Sequence, residues 1–121
     1  MSTFNLSGRR GDTIRLLVTC TRGGVALNLT GATVWATFKR SLADADNAST
    51  TIQKSTTGGG VSVTDAAGGL ALVTLDPSDT SGLTAETVYY ADVQVRESSG
   101  VITTVATGRL LVALDATRAS V

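Results

Sequence analysis

From Thr13 to Thr21 apolar and polar residues alternate, with Ile14, Leu16, Val18 and Cys20 on one side and Arg15, Leu17, Thr19 and Thr21 on the other. A period of two marks a half-buried strand. The Gly23-Gly24 pair makes a turn, Leu27 and Leu29 point inward, and Gly31 releases the chain into "ATVWATFKR". There Val34, Ala36 and Phe38 share one face while Thr33, Trp35, Thr37 and Lys39 share the other. Residues 41–50 lose the alternation and gather Ala, Asp, Asn and Ser, predicting an exposed loop or one short helical turn.

The second half repeats the pattern. A weak strand spans Thr51 to Ser55, Val61 and Val63 form one arm of a hairpin, and Leu70 to Leu75 form the other. Asp76-Pro77-Ser78-Asp79 reads as a turn in which Pro77 opens a helical turn. Residues 87–96 place Tyr89, Ala91, Val93 and Val95 inward and Val88, Tyr90, Asp92, Gln94 and Arg96 outward. After Glu97-Ser98-Ser99-Gly100, Val101 to Leu114 returns as a long strand, interrupted at Gly108 by a bulge or a strand crossing. Seven or eight short strands without a sustained helical period predict an all-β, antiparallel β-sandwich in a single domain over residues 1–121.

Composition narrows the chemistry. Hydrophobic residues make up 42% of the chain but aromatics only 4%, so the core is built in thin layers of Val, Leu, Ile and Ala. Ten basic and ten acidic residues cancel, which removes the electrostatic argument for nucleic acid or an anionic membrane. The charge is polarised, at +5 over residues 1–40 and −5 over residues 41–86. A lone Cys20 makes no internal disulfide, and with no histidine in the chain it lacks the base that a nucleophilic thiol needs. No apolar run reaches membrane-spanning length and the N-terminus lacks the order of a signal peptide, predicting a soluble protein made in a cytoplasm.

Several motifs carry little chemistry. Arg10-Gly11-Asp12 precedes a strand and reads as a turn rather than an adhesion signal. Asn28-Leu29-Thr30 and Asn47-Ala48-Ser49 fit the glycosylation pattern without a secretion signal, and Asn28 is expected to shape a turn. Gly58-Gly59-Gly60 lacks the lysine of a phosphate loop and leads into a strand, not a helix. Asp44, Asp46 and Asn47, or Asp76 with Asp79, offer oxygens but not a full calcium-loop set, so no metal or other cofactor is expected. No acid–base pair is evident and an enzyme is disfavoured.

The order "RGDT", apolar strand, "LNLTGATV", "GGGVSVTD", "LDPSDTSGL", "YYADVQV", "SSG" and "GRLLVAL" over residues 8–115 resembles a phage family. It is similar to the immunoglobulin-like amino-terminal domain of phage baseplate upper proteins and its free-standing relatives in tailed-phage virions. The resemblance implies an immunoglobulin-like sandwich serving as a virion structural protein in the tail or baseplate, made in the bacterial host cytoplasm. It would bind other virion proteins in symmetric copies, as a homo-oligomer in the particle. No coiled-coil or fibre segment follows within the 121 residues, which favours a free-standing adaptor or a capsid or neck decoration protein over a direct fibre carrier.

Leu17, Trp35 and Tyr90 fall on strand faces opposite the expected core and are candidate interface residues. Phe4 and Leu6, in "MSTFNLSGR" at residues 1–9, belong either to an ordinary first strand or to an arm docked on an adjacent copy. Residues 116–121 read as a frayed tail. A carbohydrate-binding module also uses a small sandwich with aromatic platforms. The chain has three Trp or Tyr residues, and no cluster of aromatics with Asp and Asn is evident on one strand face, so that reading ranks second.

Overall fold

The period-two runs become strands whose apolar sides meet between two sheets. The computed structural model describes residues 2–41, 43, 51–83 and 87–113. Its elements are β1 (Ser2–Arg9), β2 (Ile14–Thr19), the two-residue strands β3 (Thr21–Arg22) and β4 (Val25–Ala26), β5 (Thr33–Lys39), β6 (Ile52–Ser55), β7 (Val61–Asp65), β8 (Leu70–Leu75), the helical turn α1 (Pro77–Thr80), β9 (Thr87–Arg96) and β10 (Ile102–Ala113). One sheet has the order β1-β10-β9-β5-β6 and the other β2-β8-β7, while β3 and β4 form a separate hairpin. The protein is therefore an all-β sandwich, with eight strands of four residues or more among the described residues. The pairings are antiparallel apart from β1, which runs parallel to β10.

The core lies where the alternation placed it. Val34, Ala36 and Phe38 of β5, with Tyr89, Ala91, Val93 and Val95 of β9, face Ile14, Val18, Ala71, Val73 and Leu75 of the smaller sheet. One row across the larger sheet reads Phe38, Ala91, Gly108, Phe4. Two aromatic rings thus flank two of the smallest residues, the alternation of large and small that lets facing layers interdigitate.

The β-bulge of β10 falls between Thr104 and Ala106, so that Val105 and Ala106 are both buried; it does not fall at Gly108. Gly108 serves a different purpose. A Cβ there would come within 2.6 Å of the Phe4 ring carbons and would also strike the Phe4 carbonyl oxygen, so the missing side chain is what admits β1. Residues 2–9 are accordingly an edge strand of the chain's own sheet, with Phe4 and Leu6 half-buried against the core.

Short polar links hold the sheets in relation. The Arg10-Gly11-Asp12 turn joins β1 to β2, with Gly11 at φ 82° and the Asp12 N–H donating to the Arg9 carbonyl at 3.2 Å. The fully buried Thr80 of α1 donates its hydroxyl to the Asp12 carbonyl at 2.7 Å. Asp79 receives the Asp76 N–H at 2.9 Å and pairs with Lys54 of β6 at 2.8 Å, so α1 ties both sheets together. Asn28 accepts the Thr30 N–H at 3.0 Å, the turn expected of it. The expected loop at 41–50 lies outside the described residues but for Ser41 and Ala43, as do Asp44, Asp46, Asn47 and the tail 116–121.

Replacing Gly108 by Val forces Phe4 and β1 off the sheet. The expected cost is about 1–3 kcal/mol, read as a lower urea midpoint. A midpoint equal to that of the wild-type chain would contradict the close approach of β1.

Candidate binding face

The outer side of the five-stranded sheet is a lattice of cross-strand rows whose membership follows from register. Trp35 of β5 stands opposite Gln94 of β9, which stands opposite Thr104 of β10. The next row is Gln53, Thr37, Asp92 and Thr107, and the one after it Lys39, Tyr90, Arg109 and Asn5. Val88, Leu111 and Ser7 form the row beyond. Trp35 and Tyr90 therefore flank the polar row of Gln53, Thr37 and Asp92, two rows or about 14 Å apart along the strands.

Among the described residues this face carries a larger and a smaller depression. The larger, of about 560 Å³, is lined by Trp35, Thr37, Lys39, Gln53, Tyr90, Asp92 and Gln94, with Ile102 at its rim. The smaller, of about 270 Å³, lies between Leu6, Val88, Leu111 and their neighbours Asn5, Ser7 and Arg109. A ridge separates them, where the Arg109 guanidinium carbon sits 5.9 Å from the centre of the Tyr90 ring. A cation placed over a ring in this way is worth about 0.5–1 kcal/mol at an exposed site.

Hydrogen bonds orient the floor of the larger groove. The Gln53 side-chain amide donates to the Thr37 hydroxyl at 3.1 Å, and the Gln94 amide donates to the Thr104 hydroxyl at 3.4 Å. Each amide retains a carbonyl oxygen and a second N–H. Among the described residues no other side chain forms a hydrogen bond with the Trp35 indole N–H or the Tyr90 hydroxyl.

The five candidate residues separate. Trp35, half-buried, and Tyr90, 39% exposed, come together at the larger groove. Leu6 lines the smaller depression from the edge strand, while Phe4 packs inward on Gly108. Leu17, 58% exposed, pairs with Leu72 on the far side of the sandwich and shares no surface with Trp35. No cluster of aromatics with Asp and Asn is evident on any one strand face of the sequence. Aromatic and polar groups meet on this face because β5, β6 and β9 contribute to it together, an arrangement that appears only when register is known. Gln53, Gln94 and Arg109 were missed for that reason.

Other chemical groups are otherwise engaged. Among the described residues no three Cys, Asp or Glu side chains gather as a metal site, and Asp79 is committed to Lys54 and the Asp76 N–H. Cys20 is fully buried and loss of solvent raises its thiol from 9.0 to about 11. Comparison with known protein families finds no match, nor does comparison with curated proteins.

Burial keeps the Cys20 thiol neutral, so the native protein should resist a disulfide reagent that modifies the unfolded chain at once. Because the folded value is raised, the stability it contributes is complete below pH 9 and lost as pH climbs through about 11. Unfolding midpoints over that range should fall more steeply for the wild-type chain than for Cys20→Ala. Equal slopes would show that the thiol is not desolvated.

Proposed function

We propose that this domain is a non-catalytic structural adaptor of a bacteriophage virion, working in the tail or baseplate as repeated copies that bind other virion proteins. The observation that carries the reading is the exposed apolar row beside the Tyr90–Arg109 ridge. Val88 and Leu111 stand opposite each other at 37% and 47% exposure on a rigid sheet. Apolar and aromatic groups of this kind, preorganised on strands, anchor protein interfaces because little side-chain entropy is lost on docking.

The strand order supports an immunoglobulin type of sandwich. With β1 to β10 read along the chain, β10-β9-β5-β6 facing β2-β8-β7 has the connectivity of a variable-type domain, and β1 adds alongside β10. Tyr89, buried near the start of β9, occupies the neighbourhood of that fold's characteristic tyrosine. The chain departs from antibody domains in having no disulfide and in turning Trp35 outward. The likeness of the ordered segments at residues 8–115 to phage baseplate domains supports the virion assignment. Release into the host cytoplasm before assembly suits a fold that needs no oxidation. A decoration protein on capsid or neck would use the same surface.

Particles assembled with Leu111→Asp or Val88→Asp should incorporate the protein poorly while the purified variants keep their thermal midpoint. Leu17→Asp, on the opposite face, should incorporate normally. The reverse pattern would move the docking surface to the three-stranded sheet, and normal incorporation of all three variants would reject the reading.

A further inference from the structure

We propose that the groove between Trp35 and Tyr90 is a binding site for a neutral oligosaccharide. The inference does not rest on the virion reading, since it concerns the polar groove and not the apolar row across the ridge. Trp35 and Tyr90 present aromatic surface at either end, with Gln53, Thr37, Asp92 and Gln94 between them. A sugar ring offers an apolar face of C–H groups that stacks on such a ring and an edge of hydroxyls that each donate and accept. The two amides match that edge, being held in place by Thr37 and Thr104 with one acceptor and one donor left on each.

Charge and size specify the ligand further. Among the described residues lining the groove, Lys39 and Asp92 carry single charges of opposite sign, so this lining has no net charge to select an anion or a cation. Its volume of about 560 Å³ falls within the range of small-ligand sites. The separation of the two aromatics along the strands suits a short oligomer lying along the sheet rather than a single ring. An apolar protein anchor seated here would strip water from the remaining amide groups of Gln53 and Gln94 without replacing its hydrogen bonds, at a cost of roughly 1–3 kcal/mol for each group left unpaired. Sugar hydroxyls replace those bonds individually.

Trp35 is the only tryptophan in the chain, so its fluorescence reports on the groove alone. The full-length chain is applied to an array of neutral glucan, mannan, galactan and chitin oligomers beside acidic polyuronates and sulfated glycans. The strongest neutral oligomer is then titrated by fluorescence and by calorimetry. Saturable binding with a shift in Trp35 emission is expected, weakened at least tenfold in Trp35→Ala and in Gln53→Ala, the loss of ~1.4 kcal/mol or more. Leu17→Ala should bind as the wild type does. If Trp35→Ala proves unfolded by its thermal midpoint, the exposed Gln53 variant decides. Absence of neutral-glycan binding up to millimolar concentration overturns the inference. So does binding confined to acidic glycans, or binding indifferent to the folded variants.

Discussion

The inward row Phe38, Ala91, Gly108, Phe4 is the constraint from which the rest follows. Because side chains alternate across a strand, a slip of one residue would carry β5's apolar set to solvent and Trp35 into the core. A slip of two keeps the face but brings Phe38 against Tyr89 or Val93, where a chain with few aromatics has only thin aliphatic layers to absorb the volume. Only the observed register sets each ring beside a small neighbour. The outward rows are consequences of the same alignment. Trp35 meets Gln94, and Thr37 meets Gln53 and Asp92, because Phe38 meets Ala91.

The second sheet and its polar ties keep that alignment rigid. Thr80 is buried without residual exposure and satisfied by the Asp12 carbonyl, so α1 cannot lift without stranding a hydroxyl and a carbonyl. Lys54 and Asp79, both largely shielded, add an ion pair between the edge of the larger sheet and α1. By contrast Arg22 of β3 with Glu97 in the turn after β9, at 49% and 19% side-chain exposure, contributes at most about 1 kcal/mol. Two neighbouring depressions of opposite character share one ridge, apolar at Leu111 and polar at Gln94.

How much of this was readable from the chain depends on whether a feature is local. The inward sets of β5 and β9 and the turn at Asn28 follow from period and turn chemistry within a few residues, and the structure has them in place. So does the outward direction of Tyr90 and Leu17. Gly108 was noticed as an anomaly but its cause lies more than a hundred residues away at Phe4, beyond any local pattern. The parallel pairing of β1 and the transfer of Leu17 to the opposite face are likewise topological. The groove depends on three strands from distant segments, so its polar members carry no local signal that separates them from ordinary solvated positions.

Cross-strand proton contacts measured by nuclear magnetic resonance test the alignment most directly. The expected backbone contacts pair Trp35 with Gln94, Thr37 with Asp92 and Thr37 with Gln53, alongside contacts from the Phe4 ring to Gly108. Contacts shifted by one residue, pairing Trp35 with Val93 or Val95, would turn the aromatic face inward and contradict this register.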